Sequence, residues 1–121
     1  GSEMSGWIGV DLDGTLAQYD GWKGPEHIGA PIPAMVDRVK RWLSDGREVR
    51  VFTARAWVLL GSAEQQAEGQ SIVKAIDAWC AQHIGQTLPV TCIKDFGMIE
   101  LWDDRAVQVE ANTGRRMDGT Q

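Results

Sequence analysis

The chain has 121 residues, a formal net charge of −5, 43% apolar residues and 24% charged residues. That length suits one domain with a modest core, residues 1–121, and excludes two. No apolar run is long enough to span a membrane, and the acidic balance excludes bulk attraction to long nucleic acids while allowing a local basic patch. The short N-terminal stretch, residues 1–5, reads as loose and leads straight into an apolar run, so no signal peptide is expected. Gly1-Ser2 has the character of a tag remnant and carries no fold signal.

Trp7-Ile8-Gly9-Val10 predicts a first strand buried on both faces and ending at Asp11. Gly14 breaks it. From Gly14 to Ile32 the chain is rich in Gly and Pro and holds Tyr19, Trp22 and His27, which predicts a long loop with a small β-flap at its root. Pro33 suits the first turn of a helix that runs to about Ser44, with Gly46 as its stop. Val36, Val39, Trp42 and Leu43 fall on one face of that helix, opposite Asp37, Arg38, Lys40 and Arg41. Glu48 to Thr53 predicts the second strand.

An apolar loop, Ala56 to Gly61, follows Arg55, and a second helix is expected from Ser62 or Ala63 to His83. Ile72, Ile76, Trp79 and Cys80 form its buried stripe, and Gly69 weakens its early half. Leu88 to Lys94 suggests a third strand and Ile99 to Trp102 a fourth, ending at Asp103-Asp104. Only Asp95 to Met98 separate these two, too few residues for a parallel crossover. The third segment is therefore irregular or paired differently from the others. Val107 to Glu110 suggests one more short strand, Asn112-Thr113-Gly114 a turn, and residues 112–121 a loose tail.

Alternating strands and helices imply an α/β fold, a small three-layer sandwich on a mainly parallel, Rossmann-like sheet. Cys80 and Cys92 read as buried free thiols of a reducing cytoplasm. Cys80-x-x-His83 hints at zinc, but too few further ligands exist to complete a site.

The chemistry concentrates at strand ends. Asp11 and Asp13 stand two residues apart where a buried strand stops, and open α/β sheets place their ligand sites there. Two carboxylates this close repel unless a cation or a shared proton intervenes. With hard oxygen ligands the natural cation is Mg²⁺. Thr53, Lys94 and the Asp103-Asp104 pair also fall at expected strand ends, and in a parallel sheet these ends lie along one edge. Carboxylates, a metal, a hydroxyl and an ammonium together make a site for phosphoryl transfer, in which a carboxylate can be the nucleophile.

The ordered set Asp11-x-Asp13-Gly14-Thr15-Leu16, Thr53, Lys94 and Asp103-Asp104 resembles the four motifs of the haloacid dehalogenase-like superfamily, over roughly Ile8 to Ala106. The resemblance implies a phosphatase. Asp11 attacks phosphorus and forms an aspartyl phosphate, and Asp13 acts as general acid and then base. Mg²⁺ is held by the Asp11 side chain, the Asp13 backbone carbonyl and the Asp103–Asp104 pair, with Asp104 as the direct ligand and Asp103 behind it. Thr53 hydrogen-bonds the phosphoryl group, Lys94 offsets its charge, and Gly14 and Arg55 complete the substrate-binding set. No insert is large enough for a cap domain, so the resemblance is to capless members.

Together, Asp13-Gly14-Thr15-Leu16-Ala17, Thr53-Ala54-Arg55 and Asp103-Asp104-Arg105 also resemble strings in the phosphatase domain of polynucleotide kinase and its small relatives. That likeness casts Arg55 as a fork donor to phosphate, against the plain alternative of an Arg paired with an acid. Trp42, Trp79, Trp7 and Trp102 read as core. Trp22 and Trp57, in loops near the site, either stack on a base or sugar or pack the flap, and His27 reads as a solvated loop residue. The expectation is a cytoplasmic, Mg²⁺-dependent phosphomonoesterase, monomeric or homodimeric, acting on a phosphorylated small molecule such as a nucleotide or sugar phosphate. The alternatives are an enzyme of nucleic-acid phosphate ends and a regulatory protein that binds metal and phosphate without turnover.

Overall fold

The computed structural model describes residues 6–118. Four strands, β1 (Trp7–Val10), β2 (Glu48–Phe52), β3 (Val90–Thr91) and β4 (Met98–Trp102), form one sheet in the order β3-β2-β1-β4. Every pairing is parallel, and the α/β class is as expected. The ladder continues past β1, because the Asp11 N–H donates to the Trp102 carbonyl.

Two helices, α1 (Pro33–Ser44) and α2 (Ala63–His83), connect the strands. Pro33 opens α1. Ser62 and Gln65 form a reciprocal capping box at the start of α2, which satisfies backbone donors that the first turn leaves open. The apolar stretch after Thr53 is a 3-10 helix, Ala54–Leu60. Gly69 does not break α2. A Cβ there would lie 2.6 Å from Leu59 Cδ2, so the glycine lets the 3-10 helix pack directly on α2.

One core takes in Ile8, Val10, Val49 and Val51 from the central strands, Val36 and Val39 from α1, and Ile72, Ile76 and Trp79 from α2. Ile8 is in register with Val49 and Val10 with Val51, so these side chains share one sheet face. Both helices therefore pack on that face. The opposite face carries Trp7, which packs on Phe52 with ring centroids 6.4 Å apart and lies under the Arg50 guanidinium at 4.5 Å.

The layer on this second side is extended chain. β3 lasts two residues, and residues 92–97 then pass from the β3 edge to β4, beyond β1. Asp95 pins the segment to the sheet by accepting the Trp7 indole N–H at 2.8 Å and the Gly97 N–H at 2.8 Å. These bonds hold its carboxyl below the usual carboxylate range. The third segment is thus both paired and irregular, and the crossover that seemed too short is made without a helix.

The expected strand at 107–110 is a hairpin arm outside the sheet. Val109 bridges antiparallel to Arg116, and Asn112 (φ 67°) lies in the turn. Of the expected loose tail, residues 112–114 complete the turn and 115–118 form the return arm; residues 119–121 and 1–5 fall outside the described residues. Cys80 is a buried free thiol, pushed up to about 12 by burial and then by Asp77, and Cys92 is a half-buried free thiol. No helix among the described residues is long and apolar enough to cross a membrane.

Candidate functional site

The C-terminal ends of β1, β2 and β4 converge beside a cavity of about 740 Å³. The chain leaves β1 towards β2 on one side, and β4 lies on the other, so the cavity sits at the switch point of the sheet. Its lining includes Asp11, Asp13, Thr53, Arg55, Asp103 and Asp104, six of the eight residues singled out from the sequence.

Asp11, Asp103 and Asp104 each offer a carboxylate oxygen, and these oxygens lie within 4.8 Å of one another. Asp11 is pushed up to about 7, first by burial, then by a hydrogen bond with Asp104 and by the charges of Asp103 and Asp104. A partly buried carboxylate trio with so little compensating positive charge, built only of hard oxygen donors, fits a divalent cation such as Mg²⁺. Asp11, Asp103 and Asp104 are the side chains that would hold it.

Gly14 and Thr15 fix where Asp104 stands. Gly14 has φ +88°, and a Cβ there would come within 2.5 Å of Asp104 Oδ2. Only glycine permits both that conformation and that approach. The Thr15 hydroxyl donates to Asp104 Oδ1 at 3.2 Å and accepts from the Asp104 N–H at 3.0 Å. Thr15 thus couples the turn after β1 to the end of β4. Its place in the Asp13-Gly14-Thr15 string is the only sequence signal of this role. Asp103 Oδ1 accepts the Arg105 N–H at 2.8 Å, which fixes the bend after β4.

Asp13 stands apart from the trio. Arg55 holds it in a fork, with Nε on Oδ2 and Nη2 on Oδ1, both at 2.8 Å. Arg55 also donates through Nη1 to the Pro25 carbonyl and through Nη2 to the His27 carbonyl, each at 2.8 Å. Its guanidinium covers the Trp22 ring at 5.0 Å. The acid-paired reading of Arg55 is the one seen here: it lines the cavity, and four of its five N–H donors go to an acid and to the loop. His27 contributes its backbone carbonyl. The loop is tied down at two further places, by Gln18 N–H to the Ala30 carbonyl at its flap-like root and by the Trp79 indole N–H to the Gly29 carbonyl.

Thr53 is buried at the end of β2, and its hydroxyl accepts the Arg55 N–H at 3.2 Å. A hydroxyl that accepts one bond retains its own proton to donate. Two expected residues fall outside the lining: Gly14, which packs on Asp104, and Lys94, which is exposed within the 92–97 segment. Because β3 stops at Thr91, the chain has already left the strand end when it reaches Lys94. Arg105, Tyr19, Phe52 and Cys92 also line the cavity without having been singled out as ligands, and Trp22 and Trp57 stand there with them.

No family model matches the chain, and no curated protein matches it. A solved structure of a conserved protein from Bacteroides thetaiotaomicron is similar, with 20% identity and a TM-score of 0.54. The match covers 85% of this chain and 78% of that one. At this identity the similarity establishes the α/β fold.

Proposed function

We propose that the chain is a Mg²⁺-dependent phosphomonoesterase of the cytoplasm, a capless relative of the haloacid dehalogenase-like phosphatases. The observation that carries this reading is the meeting of Asp11 with Asp103 and Asp104 at the ends of adjacent parallel strands, beside Thr53 and an open cavity. The motif resemblance from Asp11 to Asp104 supports it.

In this reading the Asp11 carboxylate attacks phosphorus as the bond to the ester oxygen breaks. Asp13 gives a proton to the departing oxygen. It then takes one from the water that cleaves the aspartyl phosphate, returning Asp11 and inorganic phosphate. Arg55 engages both oxygens of an ionised Asp13, so before the first transfer one of those bonds must open and Asp13 must take up a proton from solvent, and the second transfer needs the same bond exchanged for a contact with the water. Thr53 donates to a phosphoryl oxygen. Arg105 is the cation on the cavity wall that is not tied to Asp13, and it takes the charge-offsetting part that the resemblance gives to Lys94. When bound, the metal ion supplies Lewis-acid neutralisation of the phosphoryl charge.

Phosphate release from an aryl phosphate, with and without Mg²⁺, tests the proposal on wild type and Asp11→Asn. Metal-dependent release that disappears in the variant is expected. Equal release by the variant removes Asp11 as nucleophile, and absence of release from every ester tried, with Mg²⁺ and phosphate still bound, favours a non-catalytic binding protein.

A further inference from the structure

Large aromatic surface stands open on the wall of the cavity. Trp22 is 60% exposed, Trp57 57% and Tyr19 43%. Tyr19 and Trp22 come from the loop after β1, and Trp57 comes from the 3-10 helix after β2. Core packing accounts for Trp42, Trp79 and Trp102, which join the hydrophobic core, but not for these two indoles.

Trp22 is also held in an unusual way. The guanidinium that covers it is fixed by bonds to Asp13, Pro25 and His27. The indole therefore rests on a rigid cationic plane while most of its surface stays open. A ring held like this is a ready stacking platform, because little ordering remains to be done when a second ring arrives.

Building on the phosphatase reading, we propose that the substrate is a nucleoside monophosphate whose planar base lies against Trp22 and Trp57 while its phosphate meets Asp11 and Thr53. A sugar phosphate lacks a ring face of this kind and leaves both indoles open. A long nucleic acid needs a track of cations, and Arg105 with the already engaged Arg55 does not make one on a chain of net charge −5. The cavity volume suits a small molecule.

Equilibrium binding to Asp11→Asn, followed by tryptophan fluorescence with no divalent metal needed, tests this without turnover. Adenosine monophosphate is expected to bind about tenfold or more tightly than ribose phosphate. Trp57→Leu and Trp22→Leu, each placed in that background and checked for a native melting transition, are each expected to erase most of the difference. The wild type is expected to show the same preference in kcat/KM. Equal affinity for the two ligands, or a preference that survives both substitutions, overturns the assignment. Ribose phosphate turned over as well as the nucleotide sinks the base site alone. Base-selective binding with no turnover of any ester sinks the phosphatase reading and leaves the base site standing.

Discussion

Arg55 and Asp13, 42 residues apart in sequence, meet in a two-bond ion pair at 2.8 Å that joins the end of β2 to the turn after β1. The same guanidinium holds two carbonyls of the long loop, so a single side chain positions the second aspartate and closes the loop over it. Little of Arg55 reaches solvent. Removing it leaves a partly buried carboxylate and two carbonyls without their donor.

Arg55→Met is therefore expected to destabilise the fold by about 3 kcal/mol, read from urea unfolding. Arg55→Lys retains the charge but not the fork and should recover less than half of that loss. Limited proteolysis should cut both variants near Pro25 to His27. A loss below about 1 kcal/mol in Arg55→Met would mean that the pair is no more than an ordinary surface bridge.

Asp11 makes stability depend on pH. Its folded-state value of about 7 lies above the ordinary 3.8. Between those values the folded protein holds a proton that the unfolded chain has released, so stability falls as pH rises through this window and levels off above about 7. Without divalent metal, Asp11→Asn should be more stable than wild type at pH 8, by about 1–2 kcal/mol after discounting the shift for partial solvation. The two should be nearly equal at pH 4. Thermal melting with a chelator checks this, and a variant that tracks wild type at both pH values contradicts it.

Mg²⁺ should act in the opposite sense. It binds the deprotonated trio, so its stabilising effect grows with pH. The Mg²⁺-induced rise in Tm should be larger at pH 8 than at pH 5 in wild type and nearly absent in Asp11→Asn. An equal rise in both proteins places the ion elsewhere.

Gly14→Ala combines a strained φ of +88° with a methyl group pressed onto Asp104. The expected loss is about 1–3 kcal/mol. Mg²⁺ affinity should fall with it, because Asp104 has to move away from Asp11. Calorimetric titration that finds the affinity unchanged would show that Asp104 is not needed at its present place.

Lys94 and Arg105 separate what the motif resemblance implies from what the cavity offers. Arg105→Met should lower kcat/KM by about tenfold through a raised KM, as loss of a charged hydrogen-bond donor does. Lys94→Met should change it by less than about threefold. The reverse order would mean that the exposed lysine swings in when substrate binds.

Much of this was legible in the chain. Asp11, Thr53 and Asp103-Asp104 could be placed together because apolar runs end at each of them and a parallel sheet aligns those ends. What escaped depended on partners distant in sequence or on the path of irregular chain. Nothing local marks Arg55 as the partner of Asp13. Lys94 looked like a strand-end residue because Leu88 to Lys94 is apolar enough for a strand, whereas the ladder with β2 lasts two residues. Gly69 read as a weakness in a helix because propensity is a property of one helix, and the reason for the glycine lies on the neighbouring 3-10 turn.

The helix-free passage from β3 to β4 bears on when the acidic site exists at all. β4 brings both Asp103 and Asp104, yet its middle residues are exposed, and β1 is its sole partner strand among the described residues. It is tethered by a run fastened through Asp95 to Trp7 and contributes only Trp102 to the packed interior. A strand with so little burial opens at lower free energy than the centre of the sheet. The site is thus a detachable margin on a firmer body. In mild denaturant, metal affinity should vanish while the amides of β1 and β2 still resist hydrogen exchange, and the concentration at which function fails should lie well below the one at which the chain unfolds.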